Sequence, residues 1–98
     1  MPGKTIKINP QGMVVDADCR VRAKKSTSDT VTWQALGTAD CTVVFLSASP
    51  FSAGTFLVPA GGTVNSGPIN AAATNQKYRY EVQMGGTLTD DPDIIIES

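Results

Sequence analysis

The segment KYRYEVQM, residues 77–84, is the feature that most limits what this chain can fold into. Polar and apolar side chains alternate along its whole length. Because successive side chains of a strand point to opposite faces, this alternation predicts a β-strand with one buried face. The side chains expected to point inward are Tyr78, Tyr80, Val82 and Met84.

Other segments with strand character recur along the chain, with turn residues between them. They are KTIKI (4–8), a longer run over 13–23, TVTWQA (30–35), CTVVFL (41–46), TFLV (55–58), TVNSG (63–67) and DIIIES (93–98). Within the run over 13–23, Asp16 and Asp18 predict a bend, and GGTLTDDP (85–92) is expected to be a loop before the last strand. No stretch shows the period of a long amphipathic helix.

The length of the chain and the number of these segments predict the fold class. A chain of 98 residues buries roughly 60–70% of its unfolded surface, which is enough for one domain without disulfides or a structural metal. Seven or eight short strands in one such domain, residues 1–98, predict an all-β fold. We expect a seven- to eight-stranded Greek-key β-sandwich.

Three stretches carry a resemblance to a known family: SDTVTWQALGTADCTVVF (28–45), YRYEV (78–82) and DIIIES (93–98). With the Pro-Phe loop that follows the first stretch, their order resembles that of the plastocyanin-type cupredoxins. The resemblance covers nearly the whole chain and implies a cupredoxin-like sandwich. An immunoglobulin-like sandwich is the alternative, because Trp33 lies between Cys19 and Cys41. That interval is far shorter than an immunoglobulin disulfide loop.

The resemblance also assigns the positions of the copper ligands. Cys41 stands where the family has its first histidine, Val82 where it has the cysteine, and Gly85 where it has the second histidine. The methionine would fall near Asp90. A blue-copper centre needs two imidazoles and a thiolate, whereas the sequence contains no histidine. The resemblance therefore implies the fold without the copper, and we expect no cofactor.

The two cysteines leave three readings open. Cys41 shares a face with Val43 and Phe45, which favours a small buried side chain, the usual state of free cysteine. Alternatively, Cys41, Cys19 and Met84 form a soft sulfur site for Cu(I). A disulfide between Cys19 and Cys41 is the third reading, and it needs adjacent strand ends and an oxidising compartment.

A partner-contact patch is predicted around the loop SASPFSAG (47–54). Phe51 lies in this Pro- and Gly-containing loop and Phe56 and Leu57 follow it; the three would mark a partner or self-association site if they cluster at the surface. The equal alternative is that they cap the core.

Charge and motifs exclude several classes of function. Eight basic and nine acidic residues give a net charge of -1, so the chain has no net positive charge that would attract a nucleic acid or an anionic membrane. No catalytic base adjoins Cys41, whose only ionisable neighbour is Asp40, so we expect no enzyme. Neither a signal peptide nor a membrane-spanning run is visible, and the cytoplasm is slightly favoured over the periplasm. We therefore expect a copper-free binding or structural module with an unknown protein partner.

Overall fold

The computed structural model describes residues 3–15 and 20–98, which form nine β-strands and no helix. The predicted bend at Asp16 and Asp18 lies outside these residues, as does Cys19. No helix of the described residues is long and apolar enough to cross a membrane. The strands are β1 (Gly3–Ile8), β2 (Arg20–Lys24), β3 (Thr30–Ala35), β4 (Cys41–Phe45), β5 (Thr55–Val58), β6 (Thr63–Asn65), β7 (Lys77–Met84), β8 (Thr87–Asp90) and β9 (Asp93–Glu97).

The smaller sheet contains three strands in the order β1-β3-β6. β1 runs parallel to β3, with Ile6 opposite Trp33 and Ile8 opposite Ala35. All four side chains are buried, because the inward positions of both strands carry apolar residues. β6 is antiparallel to β3 and closes the other edge.

The larger sheet has the order β2-β9-β7-β4-β5, and β8 also pairs with β7. β2 and β9 are parallel, whereas β7 is antiparallel to both β4 and β9. Strands that are far apart in the chain, such as β2 and β9, are therefore neighbours in space. The predicted all-β sandwich is confirmed.

The segment expected to be a loop, residues 85–92, contains strand β8. Gly85 and Gly86 have φ angles of 61° and 79°, the left-handed conformation that a two-residue type I′ hairpin turn requires. This turn folds β8 back along β7, with Met84 opposite Thr87 and a bulge between Val82 and Gln83. A glycine pair is typical of hairpin turns as well as of loops, and the pairing of β8 with β7 shows that this one forms a hairpin turn.

The core lies between the two sheets and is built from the alternating residues that the sequence predicts. Tyr78, Tyr80 and Val82 of β7 are buried, and Met84 is half-buried against the same core. Trp33 lies at the centre and contacts four other rings. The rings are those of Phe45, Phe51, Phe56 and Tyr80, with centroids 4.9 to 6.3 Å from Trp33.

Candidate functional site

Cys41 is the first residue of β4 and lies at one end of the large sheet. Its neighbours across the sheet are Val58 of β5 on one side and Met84 of β7 on the other. The side chain is 2% exposed, as its shared face with Val43 and Phe45 predicts. Because directly paired residues of adjacent strands project to the same face, the sulfur atoms of Cys41 and Met84 belong to one inward-facing pair.

The surroundings of the Cys41 thiol favour its neutral form. Burial raises the pKa of the thiol, and the carboxylate of Asp40 raises it further. The nearest polar partner of Sγ is the carbonyl oxygen of Ala39, 4.0 Å away, a weak contact. Only the thiolate is a good nucleophile and metal ligand, so this environment suits packing better than either chemistry.

The predicted soft-metal residues are only partly brought together. Cys41 and Met84 are opposite each other, whereas Cys19 lies outside the described residues. Within residues 3–15 and 20–98, no group of three or more cysteine, histidine or carboxylate side chains is placed to hold a metal ion.

The other positions that the resemblance assigns to copper ligands have structural contacts of their own. Val82 is fully buried and lies opposite Val43. Gly85 forms the hairpin turn. The carboxylate of Asp90 accepts a hydrogen bond from the amide of Val14, at 2.8 Å, and thereby ties the segment after β1 to β8. Each of these residues therefore has a structural role, in the core, in a turn or in a hydrogen bond between segments.

The predicted contact patch of Phe51, Phe56 and Leu57 does not form as a surface cluster. Phe51 and Phe56 are 2% and 8% exposed, whereas Leu57 is 62% exposed. The two phenylalanine rings pack against Trp33, so they take the alternative role of completing the core. The reason is the alternation in β5, which turns Phe56 inward and Leu57 outward.

Leu57 instead belongs to a row of side chains across the outer face of the large sheet. Thr42 lies opposite both Leu57 and Gln83, and Gln83 lies opposite Leu88. The two leucines at the ends of the row are both more than half exposed. The sequence reasoning missed this row, because Leu88 falls in the segment expected to be a loop. Recognising Gly85-Gly86 as a hairpin turn would have found it.

Comparison with known proteins identifies the fold. No family model matches the sequence, and no curated protein matches it either. Among solved structures, a reduced amicyanin variant is 14% identical, with a TM-score of 0.66 over 97% of this chain and 82% of its own. A purple cupredoxin from Nitrosopumilus maritimus is 12% identical, with a TM-score of 0.66 over 96% of this chain and 99% of its own. The chain has the cupredoxin fold.

The sheet topology excludes the immunoglobulin-like alternative. Immunoglobulin domains are built from two antiparallel sheets, whereas each sheet of this protein contains a parallel pair, β1 with β3 and β2 with β9. The resemblance seen in the sequence is therefore confirmed at the level of the fold.

The residues at the positions that the resemblance assigns to copper ligands do not fit a blue-copper centre. Such a centre takes two imidazoles and a thiolate, with a weak axial sulfur. Here the three main positions carry a buried thiol at Cys41, an aliphatic side chain at Val82 and no side chain at Gly85. With no histidine in the sequence, the chain cannot provide the imidazoles from elsewhere.

Proposed function

We propose that this protein is a copper-free, cupredoxin-like module that acts by binding or by structural support, and that it is not an enzyme. The observation that carries the proposal is the replacement at the ligand positions. Cys41 and Val82 are core side chains, and Gly85 is a turn residue. These residues stabilise the scaffold at the place where a cupredoxin would hold its metal.

The same residues argue against covalent catalysis. A cysteine nucleophile is usually activated by an adjacent base or by a lowered pKa. The Cys41 thiol has a raised pKa, and the charged group that raises it further is the carboxylate of Asp40. The module is therefore expected to act through its surface.

Copper titration tests the copper-free assignment. The purified protein, titrated with Cu(II), is expected to show no intense visible absorption. Cys41→Ser is the matched control, because Cys41 is the one cysteine among the described residues and stands at a position that the resemblance assigns to a ligand. An intense thiolate-to-copper band in the wild type that disappears in Cys41→Ser would overturn the proposal.

A Cu(I)-binding function is the second candidate, and the pairing of Cys41 with Met84 favours it. Two sulfur atoms on adjacent strands offer soft ligands of the kind that Cu(I) prefers. Competition with a Cu(I) chelator measures the affinity in the wild type, in Cys41→Ser and in Met84→Leu. The exposed Met13 supplies a matched control, Met13→Leu. Equal affinities in all four proteins would exclude this candidate.

A further inference from the structure

Strand β7 is longer than its neighbour β4, so part of one edge of β7 is left open. The two strands pair from Met84 to Tyr80. Among the described residues, their last hydrogen bond runs from the amide of Leu46 to the carbonyl of Arg79, at 3.4 Å. Beyond Leu46 the chain leaves the sheet through the loop that contains Pro50.

The backbone of Lys77 faces this open side. The carbonyl of Gln76 accepts from Ile96 at 2.9 Å, and the amide of Tyr80 donates to Pro92 at 3.1 Å. The even-numbered residues of β7 therefore turn their backbone groups toward β9. Since these groups alternate along a strand, the N–H and C=O of Lys77 point to the side that β4 has left. No backbone hydrogen bond to them from that side occurs among residues 3–15 and 20–98.

The space beside Lys77 forms a groove of about 240 Å³. Lys77 and Arg79 line it from β7, whereas Leu46, Ser47 and Ala48 line it from the segment that follows β4. Leu46 is 51% exposed. The groove therefore combines open backbone groups, cationic side chains and an exposed apolar side chain.

The charge of the groove is positive. The guanidinium of Arg79 contacts the carboxylate of Asp91 at 3.1 Å, and both side chains are more than half exposed. The ammonium of Lys77 has no ion pair among the described residues. One cation is thus balanced and the other is available to an anionic group.

We propose that this groove binds an extended acidic peptide segment of a partner protein. The segment continues the sheet where β4 stops, by exchanging hydrogen bonds with the N–H and C=O of Lys77. The residue opposite Lys77 projects to the same face, so a carboxylate there meets the free ammonium. The inference deepens the proposed function and rests on it, because it names a ligand class for the binding module.

The test uses a synthetic peptide that alternates aspartate with valine and has acetylated and amidated ends. Titration of the isotope-labelled protein, followed by NMR, is expected to shift the amide signals of Leu46, Ser47, Ala48 and Lys77. The Lys77 amide is also expected to exchange more slowly with solvent when the peptide is bound. The measurement needs no copper, so it succeeds or fails independently of the copper titration.

Variants and competing ligands decide the outcome. Lys77→Gln is expected to weaken binding about two- to fivefold, the scale of an exposed ion pair, and Lys77→Glu to weaken it more. Lys4→Gln removes a charge from the other sheet and should leave the affinity unchanged. Equal losses in Lys4→Gln and Lys77→Gln, shifts confined to the Leu57–Leu88 row, or no binding would each overturn the proposal. Identical shifts with glutarate alone would also overturn it, in favour of a simple carboxylate site.

Discussion

The role of Cys41 leads to a prediction that separates packing from metal binding. In Cys41→Ser a hydroxyl replaces the thiol at a position that is 2% exposed. The acceptor that Sγ contacts among the described residues is the Ala39 carbonyl, 4.0 Å away, which is too far for a hydroxyl hydrogen bond. A buried hydroxyl without a partner costs about 1–3 kcal/mol in protein mutational data. For a chain of 98 residues, that loss lowers Tm by roughly 5 to 15 °C.

Cys41→Val is the contrasting variant. Valine is apolar, similar in size and suited to a strand, so the expected loss in the free energy of unfolding is below about 1.5 kcal/mol. Urea unfolding and thermal melting of both variants measure the difference, with the exposed Ser47→Ala as control. If Cys41→Ser is as stable as the wild type, or if Cys41→Val is the less stable of the two, the thiol has a polar or metal partner and the packing argument is wrong.

Two further predictions concern local structure. The carboxylate of Asp29 accepts hydrogen bonds from the Thr27 hydroxyl at 2.7 Å and from the Lys24 amide at 2.9 Å, and these bonds lower its pKa below the usual 3.8. Its stabilising contribution is therefore complete above that value and is lost as the pH falls through the lowered pKa. In urea unfolding, Asp29→Ala should be about 1.5–3 kcal/mol less stable than the wild type near pH 7. This difference in stability should narrow in acid, and a difference that stays constant with pH would contradict the prediction. Gly12→Ala should destabilise the protein more than Gly85→Ala, because a Cβ at Gly12 would lie 2.6 Å from Thr89 Oγ1 whereas none at Gly85 would meet an atom within 4 Å. Both glycines have positive φ and share the backbone cost of about 1–2 kcal/mol, so equal losses in thermal melting would show that the Gly12 contact relaxes freely.

Much of the fold could be predicted because strand alternation is a local property. The inward faces of β3, β4 and β7 follow from spacing alone, and the cupredoxin resemblance supplied their order. The turn at Gly85-Gly86 was misread as part of a loop, since a glycine pair does not show which strands it joins. The choice between a surface patch and a core cap at Phe51, Phe56 and Leu57 could not be made from the sequence for a related reason. Whether Phe51 reaches the core depends on where its loop packs, and the loop sequence carries no alternation.

The candidate sites were likewise predictable only where they depend on local sequence. The sequence placed Cys41 among core residues, but only the register between β4 and β7 put Met84 opposite it. The groove beside Lys77 could not be predicted, because it arises from the unequal lengths of two paired strands and from the exit of the chain after Leu46.

Two properties of this protein follow from its amino acids alone: the period-two pattern that produces sheets, and the lack of histidine, which leaves no imidazole for the ligand positions of a blue-copper centre. Tertiary structure alone decided which strands became neighbours, which aromatic rings were buried and which backbone edge stayed open. These outcomes depend on contacts between residues far apart in the chain, and such contacts are chosen by the packing of the whole core.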